Sequence, residues 1–200
     1  PLVAMGHSRG AVTSLMVAVR RPEMVRALVL IDPTILPLSW MPGWFLAKKT
    51  GLARLVPIAA RSAARRRLWP DRKAVLESYA SKRPFKDWAD GFLEAYVVEG
   101  TKETPDGGIT LRCDPLWESA CFCACPHDVW RYVSKIRVPT LVIFGVRSDT
   151  FLRPAVKRFR KTVPQAEFRP MEGTGHFAPL EEPEKCAGVI LDFLDDRGIL

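Results

Sequence analysis

The chain has 200 residues, of which 48% are hydrophobic, so it is long and apolar enough to bury a sizeable core. No apolar run approaches the roughly 18 residues needed to cross a bilayer, and we expect no membrane anchor in this segment. The net charge is +8, but no nucleic-acid-binding motif accompanies it, so we expect no nucleic-acid partner.

The first predicted elements are a strand, a helix and a second strand. Residues 2–5 form an apolar run that predicts a short buried strand, and the apolar-rich residues 9–19 predict a helix. Residues 27–31 are all apolar and predict the second strand, which ends at Asp32. Two strands and a helix within about thirty residues are typical of a βαβ unit, so we expect the strands to be parallel.

A long insertion follows. Residues 34–135 lack apolar strand runs and are rich in Trp, Arg and Ala, which predicts a helical segment between two core parts, 1–33 and 136–200. All six tryptophans lie in this insertion, so it has a small core of its own or faces something apolar. Residues 104–108 predict a turn or hairpin tip. The basic residues crowded between 48 and 73 are interpreted as a solvated helix face.

The cysteines give little sign of a metal site. Four of them lie between Cys113 and Cys125, with His127 just beyond, but their spacing differs from the C-x2-4-C pairs that zinc sites use. We interpret them as buried or half-buried thiols and expect no metal and no cofactor. The total of five is odd, which fits a reducing compartment better than a disulfide framework, so we expect the cytoplasm.

The last part of the chain returns to the alternation of strands and helices. Residues 139–145 predict a third buried strand, residues 154–162 a cationic amphipathic helix, and residues 166–171 a short fourth strand. The final helix is predicted to begin near Glu181, because the apolar residues that follow fall on one face.

A serine between glycines lies where the first strand becomes the first helix. The sequence Gly6-His7-Ser8-Arg9-Gly10 matches the nucleophile elbow G-x-S-x-G. Such a turn holds Ser8 in a strained conformation, and we expect Gly6 and Gly10 to avoid the collisions that side chains would make there. The alternative is an ordinary turn in which Ser8 caps the helix. His7 is expected to pack against or line the elbow.

Two later loops carry an acid and an imidazole. Asp149 follows the third strand, and His176, next to Gly175, follows the fourth. Because the loops at the carboxyl ends of parallel strands share one edge of the sheet, Ser8, Asp149 and His176 can meet there. The alternative for His176 is a packed loop histidine with no chemical role.

From its first strand to its end, the chain resembles the α/β-hydrolase fold family. The elbow, the acid loop, the histidine loop and their order along the chain carry this resemblance. It implies an α/β class fold: a partial α/β-hydrolase fold with a parallel half-sheet of four strands, flanking helices and a helical cap insertion above the active site. It also implies an N-terminally truncated fragment, because the preceding strands would lie upstream of Pro1.

The resemblance further implies a serine hydrolase that acts on an ester or related acyl substrate through an acyl-enzyme. Ser8 would attack the carbonyl, His176 would transfer its proton, and Asp149 would orient the imidazole. The backbone N–H of Arg9 would be one oxyanion donor. The second donor would lie upstream, and losing one costs about 10²- to 10³-fold in kcat, so this segment alone is expected to be nearly inactive.

Some alternatives stay open at this point. The family often places the acid at the position that Ser148 occupies here, and Asp32 is the alternative acid that some members use. The expected partner is a small-molecule acyl substrate, and esterase, lipase-like, lactonase and carbon–carbon bond hydrolase chemistry all fit. The alternative function is a non-catalytic ligand-binding protein or pseudoenzyme. The sequence gives neither the substrate nor the oligomeric state.

Overall fold

The structure is a computed structural model and describes residues 1–199. The strands within this range are, in chain order, β1 (Leu2–His7), β2 (Val25–Ile31), β3 (Leu68–Trp69), β4 (Thr101–Glu103), β5 (Ile109–Leu111), β6 (Thr140–Gly145) and β7 (Glu167–Met171). The α-helices are α1 (Arg9–Arg20), α2 (Met41–Lys49), α3 (Pro57–Ala63), α4 (Arg72–Ala80), α5 (Phe92–Gly100), α6 (Pro115–Cys123), α7 (Val129–Val133), α8 (Arg153–Thr162), α9 (Ala178–Glu181) and α10 (Pro183–Asp195).

The main sheet has four parallel strands in the order β1-β2-β6-β7. Alternate residues of the central strand β2 enter different cores, as the pleat of a strand requires. Leu28 and Leu30 pack in the core that includes α1 and α8, whereas Val29 packs in the core that includes α10. Because helices cover both faces, β2 and β6 are buried almost throughout. The predicted parallel half-sheet with flanking helices is therefore confirmed.

The predicted elements of this sheet agree closely with those observed. Each of the four predicted strands is observed, and the observed ends lie within two residues of the predicted ones. The final helix differs, because it is divided into the short α9 and the longer α10. Pro183 lies at the first position of α10, where a missing backbone N–H costs nothing.

The chain divides into two compact units. The first consists of Pro1–Met41 together with the described residues from His127 onward, and the second of Pro42–Pro126. Residues 34–41 and 127–135, which the sequence analysis assigned to the insertion, thus belong to the unit that contains the main sheet. Trp130 is an example: it is buried in the core of the first unit, and its indole N–H donates to the carbonyl of Leu36.

The second unit is mainly helical but also contains a small antiparallel sheet, β3-β5-β4. The sequence predicts a helical segment here and gives no sign of this sheet, for a simple reason. Strands of two or three residues are too short to show alternation in the sequence. The predicted hairpin tip is confirmed, because Thr104 donates its N–H to the carbonyl of Gly108 between β4 and β5.

The second unit has an apolar core of its own. Trp69, Tyr79 and Val97 are among its buried members. The basic residues nearby are not simply a solvated face. Arg65 is half-buried and bonds to the carboxylate of Glu118 at 2.7 Å and to the hydroxyl of Tyr79 at 2.8 Å. The interpretation of the basic stretch as uniformly solvated is therefore wrong at Arg65.

Residues 1–199 contain neither a membrane-spanning helix nor a metal-binding cluster. No helix within residues 1–199 is both long enough and apolar enough to span a bilayer. In the same part of the chain, no group of three or more His, Cys, Asp or Glu side chains is arranged to hold a metal ion.

Candidate active site

Ser8 lies in a sharp turn between β1 and α1. Its backbone has φ 57° and ψ −119°, a strained conformation for a residue with a side chain. Its N–H donates to the carbonyl of Ile31 at 2.8 Å, which ties the turn to the end of β2. The Ser8 hydroxyl makes no capping bond to α1, so the alternative reading as an ordinary helix cap does not describe this serine.

The two glycines of the elbow have different roles. A Cβ on Gly6 would lie 2.3 Å from the carbonyl carbon of Gly10, so only glycine fits at position 6. A Cβ on Gly10 would meet nothing within 4 Å. The expectation that both glycines avoid collisions is therefore correct for Gly6 and wrong for Gly10. The steric demand is one-sided, because it is the Gly10 backbone that closely approaches Gly6.

His176 connects the serine to a carboxylate. Its Nε2 lies 2.9 Å from the Ser8 hydroxyl, and its Nδ1 lies 2.8 Å from Oδ1 of Asp32. A carboxylate oxygen accepts, so Nδ1 carries the proton and Nε2 is left to accept from the Ser8 hydroxyl. The loop is fixed beside the ring, because the N–H of Gly175 donates to the Glu181 carboxylate at 2.8 Å. Both ring nitrogens of His176 are thus engaged, one with the Ser8 hydroxyl and one with the Asp32 carboxylate.

Asp32 is fully buried at the end of β2, with both oxygens engaged. Oδ1 accepts from His176 Nδ1 and from the Ser148 hydroxyl at 2.7 Å, and Oδ2 accepts from the Gly145 N–H at 3.0 Å. Its backbone φ of 40° is unusual for a residue with a side chain. Burial with three donors holds the carboxylate in one place and orientation.

The structure does not bring Asp149 to the imidazole. Asp149 is exposed, and its carboxylate accepts from the Thr150 hydroxyl at 3.3 Å. The preceding Ser148 turns inward instead, where it bonds to Asp32 and accepts the N–H groups of Thr150 and Phe151. The preference for Asp149 over Asp32 is therefore corrected: the carboxylate that meets His176 is that of Asp32.

Two hydroxyl groups at this site were not predicted. Ser148 donates to Asp32, and Thr34 Oγ1 lies 3.2 Å from the Ser8 hydroxyl. Ser148 had a signal, because it occupies the position where the family often has its acid. Thr34 had none in the sequence, because only the fold of the loop after β2 brings it to Ser8.

His7 packs against His176, beside the elbow as expected. Its Nε2 donates to the carbonyl oxygen of His176 at 2.7 Å, and the two ring centroids lie 4.8 Å apart. Burial is the main reason that the pKa of His7 is lowered from 6.5, and the neighbouring His176 lowers it further. The bond to the His176 carbonyl and the charge of Asp32 act in the opposite direction but do not outweigh burial.

Arg9 is the first residue of α1 and directly follows Ser8. The first backbone N–H groups of a helix have no partner within the helix and lie at the positive end of its dipole. The carbonyl oxygen of a substrate attacked by Ser8 would become negative, and the Arg9 N–H would be a donor close to it. The role of the Arg9 N–H as an oxyanion donor stays a prediction.

Comparisons with known proteins agree on the family. The family model described as "Alpha/beta hydrolase family" matches residues 1–189. Abhydrolase domain-containing protein AFT2-1 of Alternaria alternata is 24% identical, over 98% of this chain and 83% of its own length. The (lyso)-N-acylphosphatidylethanolamine lipase of Homo sapiens is 24% identical, over 97% of this chain and 58% of its own length.

Solved structures share the fold. E-2-(acetamidomethylene)succinate hydrolase superposes with a TM-score of 0.76 at 22% identity, covering 96% of this chain and 66% of that one. The peroxisomal α/β-hydrolase Lpx1 of Saccharomyces cerevisiae has a TM-score of 0.75 at 16% identity, covering 98% of this chain and 52% of that one. The chain thus spans between half and two thirds of the length of these two structures.

Proposed function

Because the chain belongs to the alpha/beta hydrolase family, we propose that it is a serine hydrolase whose triad is Ser8, His176 and Asp32. The observation that carries this proposal is the continuous chain of hydrogen bonds from the Ser8 hydroxyl through the imidazole to Asp32, at 2.9 and 2.8 Å. A nucleophile, a base and a group that orients the base are the parts that acyl transfer requires. The proposed substrate is a small molecule with an ester or a related acyl bond.

The first half of the reaction forms an acyl-enzyme. Ser8 Oγ attacks the carbonyl carbon while its proton passes to Nε2 of His176. The carbonyl oxygen becomes negative and accepts a hydrogen bond from the backbone N–H of Arg9. The intermediate then collapses, the bond to the leaving group breaks, and His176 returns the proton to that group.

The second half releases the acid. A water molecule gives its proton to Nε2 of His176 and attacks the acyl carbon on Ser8. Collapse of this second intermediate breaks the bond to Ser8 Oγ, which takes the proton back from His176. The carboxylic acid product leaves and the free serine is restored.

Asp32 acts through His176. It accepts the Nδ1 proton, which keeps Nε2 free as the base, and it stabilises the imidazolium that forms during each half of the reaction. Ser148 and Gly145 hold the carboxylate in place for this task. Because Asp32 is fully buried, its attraction to the imidazolium is little screened by water.

The named relatives support hydrolysis without fixing one substrate. A (lyso)-N-acylphosphatidylethanolamine lipase and an sn-1-specific diacylglycerol lipase are among the curated relatives, and esterases are among the solved structures. The chain spans 58% and 59% of the length of these two lipases.

Covalent labelling of Ser8 in the full-length protein tests the proposal. A fluorophosphonate should react once per molecule, at Ser8, and mass spectrometry of the peptides should locate the adduct. Ser8→Ala should abolish labelling. Ser134→Ala, which removes an exposed serine of the same unit, is the matched control and should label like the wild type.

A folded wild-type protein that does not react would contradict the proposal and favour the alternative of a non-catalytic ligand-binding protein. Labelling of Ser8→Ala at the wild-type rate would contradict the assignment of the nucleophile. For a protein that does react, p-nitrophenyl esters of increasing acyl length would then measure the size of the acyl group that it accepts.

A further inference from the structure

The side chain of Arg9 has a buried nitrogen without a partner. Its Nη1 is excluded from solvent and makes no hydrogen bond to any of residues 1–199. Leaving a buried donor of a charged group unbonded costs free energy, so such a group usually has a partner in the working state of a protein. Arg9 as a whole is half-buried, so the rest of its side chain is not sealed inside the core.

No carboxylate of residues 1–199 forms an ion pair with this guanidinium. Within the described part of the chain, the Arg9 guanidinium forms no ion pair, and the Thr13 hydroxyl bonds to the Arg9 backbone carbonyl rather than to its side chain. Asp32 is the carboxylate of the site, but both its oxygens are already taken by His176, Ser148 and Gly145. The Arg9 guanidinium therefore has no ion-pair partner among residues 1–199.

Arg9 is also the chain neighbour of the proposed nucleophile. It directly follows Ser8, and consecutive Cα atoms are only about 3.8 Å apart. Its long side chain can thus reach a group that a substrate carries a few bonds from the carbonyl attacked by Ser8. A guanidinium binds planar anions with two parallel hydrogen bonds, and such bonds to a charged partner are stronger than neutral ones.

We infer that the Arg9 guanidinium binds an anionic group, a carboxylate or a phosphate, that the substrate carries a few bonds from its scissile carbonyl. The inference rests on the proposed function, and it narrows the substrate class to anionic acyl compounds. Arg9 then has two separate tasks: its backbone N–H serves the reacting oxygen, and its side chain selects the substrate.

A matched pair of esters tests this inference in the full-length protein. Mono-p-nitrophenyl succinate carries a free carboxylate, and methyl p-nitrophenyl succinate has the same acyl chain with that carboxylate capped. We expect kcat/KM to favour the anionic ester by at least about tenfold. A third ester, p-nitrophenyl 3-phosphonopropanoate, distinguishes a preference for a phosphate-like group from a preference for a carboxylate.

Variants of Arg9 assign the preference to its side chain. Arg9→Gln should bring the ratio of the two kcat/KM values close to one, and Arg9→Lys should retain part of it. The ratio is the informative quantity, because any loss common to both esters cancels. Arg20→Gln, at the other end of α1, is the control and should keep the wild-type ratio.

Binding to Ser8→Ala separates this inference from the proposed function, since it requires no turnover. Calorimetric titration should show that monomethyl succinate binds at least about tenfold more tightly than dimethyl succinate, and that adding Arg9→Gln removes the difference. Equal binding of the two compounds, or a difference that survives Arg9→Gln, would overturn the inference. If both esters are hydrolysed at the same kcat/KM, the inference fails while the proposed function stands.

Discussion

The loops after β2 and β6 end neighbouring strands at the same edge of the sheet, and each offers a carboxylate, yet only one meets the histidine. Asp32, after β2, is fully buried and bonds to His176 Nδ1. Asp149, after β6, is exposed and bonds to its neighbour Thr150. The loop after β6 contributes Ser148 instead, whose hydroxyl bonds to the Asp32 carboxylate.

This difference shows that position along the chain does not determine which acid bonds to the imidazole. Which acid bonds to His176 depends on which side chain of the loop points inward and on whether hydrogen-bond donors surround it there. Asp32 has three such donors within 3.0 Å. In the other loop, the backbone N–H groups of Thr150 and Phe151 bond to Ser148, which fixes the inward turn at that residue.

The largest expected effect is the fall in kcat when Asp32, the acid that points inward, is replaced. Asp32→Asn should lower kcat for a p-nitrophenyl ester by about 10⁴-fold, because an amide no longer holds the tautomer or stabilises the imidazolium. Asp149→Asn is the matched control in the other loop and should stay within about twofold of the wild type, since surface changes have small effects. Equal losses of kcat in the two variants would contradict the claim that only Asp32 acts on His176.

A second effect concerns the start of the loop after β6. A Cβ on Gly145 would lie 2.0 Å from the carbonyl oxygen of Gly175, beside His176, so Gly145→Ala should destabilise the protein by about 1–3 kcal/mol or more. Gly188→Ala, where a Cβ meets nothing within 4 Å, should instead be neutral or slightly stabilising in its helix. Urea unfolding measures both, and a stable Gly145→Ala variant would contradict the close approach of the two loops.

A smaller effect should follow from the contact between the two loops. Ser148→Ala removes a donor from Asp32 and should lower kcat by about tenfold with little change in KM, because Ser148 positions the carboxylate rather than binding substrate. Ser148→Thr keeps the hydroxyl and should restore most of the activity. A change in KM alone, or no rescue by threonine, would contradict this positioning role.

The smallest effect is a pH dependence of stability at His7. The pKa of His7 is lowered from 6.5 in the folded protein, mainly by burial, so the unfolded chain takes up a proton more readily as the pH falls. The contribution of His7 is therefore present above pH 6.5 and is lost as the pH falls below it. Unfolding free energies between pH 8 and pH 5 should decline less in His7→Gln than in the wild type. Parallel curves would show that His7 titrates alike in both states.

The sequence predicts the main sheet well, for physical reasons. Strands buried on both faces are continuous apolar runs, so residues 27–31 and 139–145 could be recognised without the fold. The elbow could also be recognised, because a glycine at position 6 is a steric requirement. The short strands β3, β4 and β5 could not, since pairing rather than an apolar pattern defines them.

The site was predictable only in part. Ser8 and His176 could be predicted from motifs with glycines at strand ends, and in the structure His176 Nε2 lies 2.9 Å from the Ser8 hydroxyl. The choice between Asp32 and Asp149 depends on backbone torsions, such as the φ of 40° at Asp32, and on hydrogen bonds that no spacing reveals. Thr34 and the buried nitrogen of Arg9 likewise emerge only from the three-dimensional arrangement.

The most direct test of the central claim is the rate at which a fluorophosphonate labels Ser8 in the wild type, Asp32→Asn and Asp149→Asn. The reaction needs an activated serine but no particular substrate, so it measures the hydrogen-bonded chain itself. We predict that Asp149→Asn labels at the wild-type rate and that Asp32→Asn labels slower by orders of magnitude. Slow labelling of Asp149→Asn together with wild-type labelling of Asp32→Asn would contradict the account.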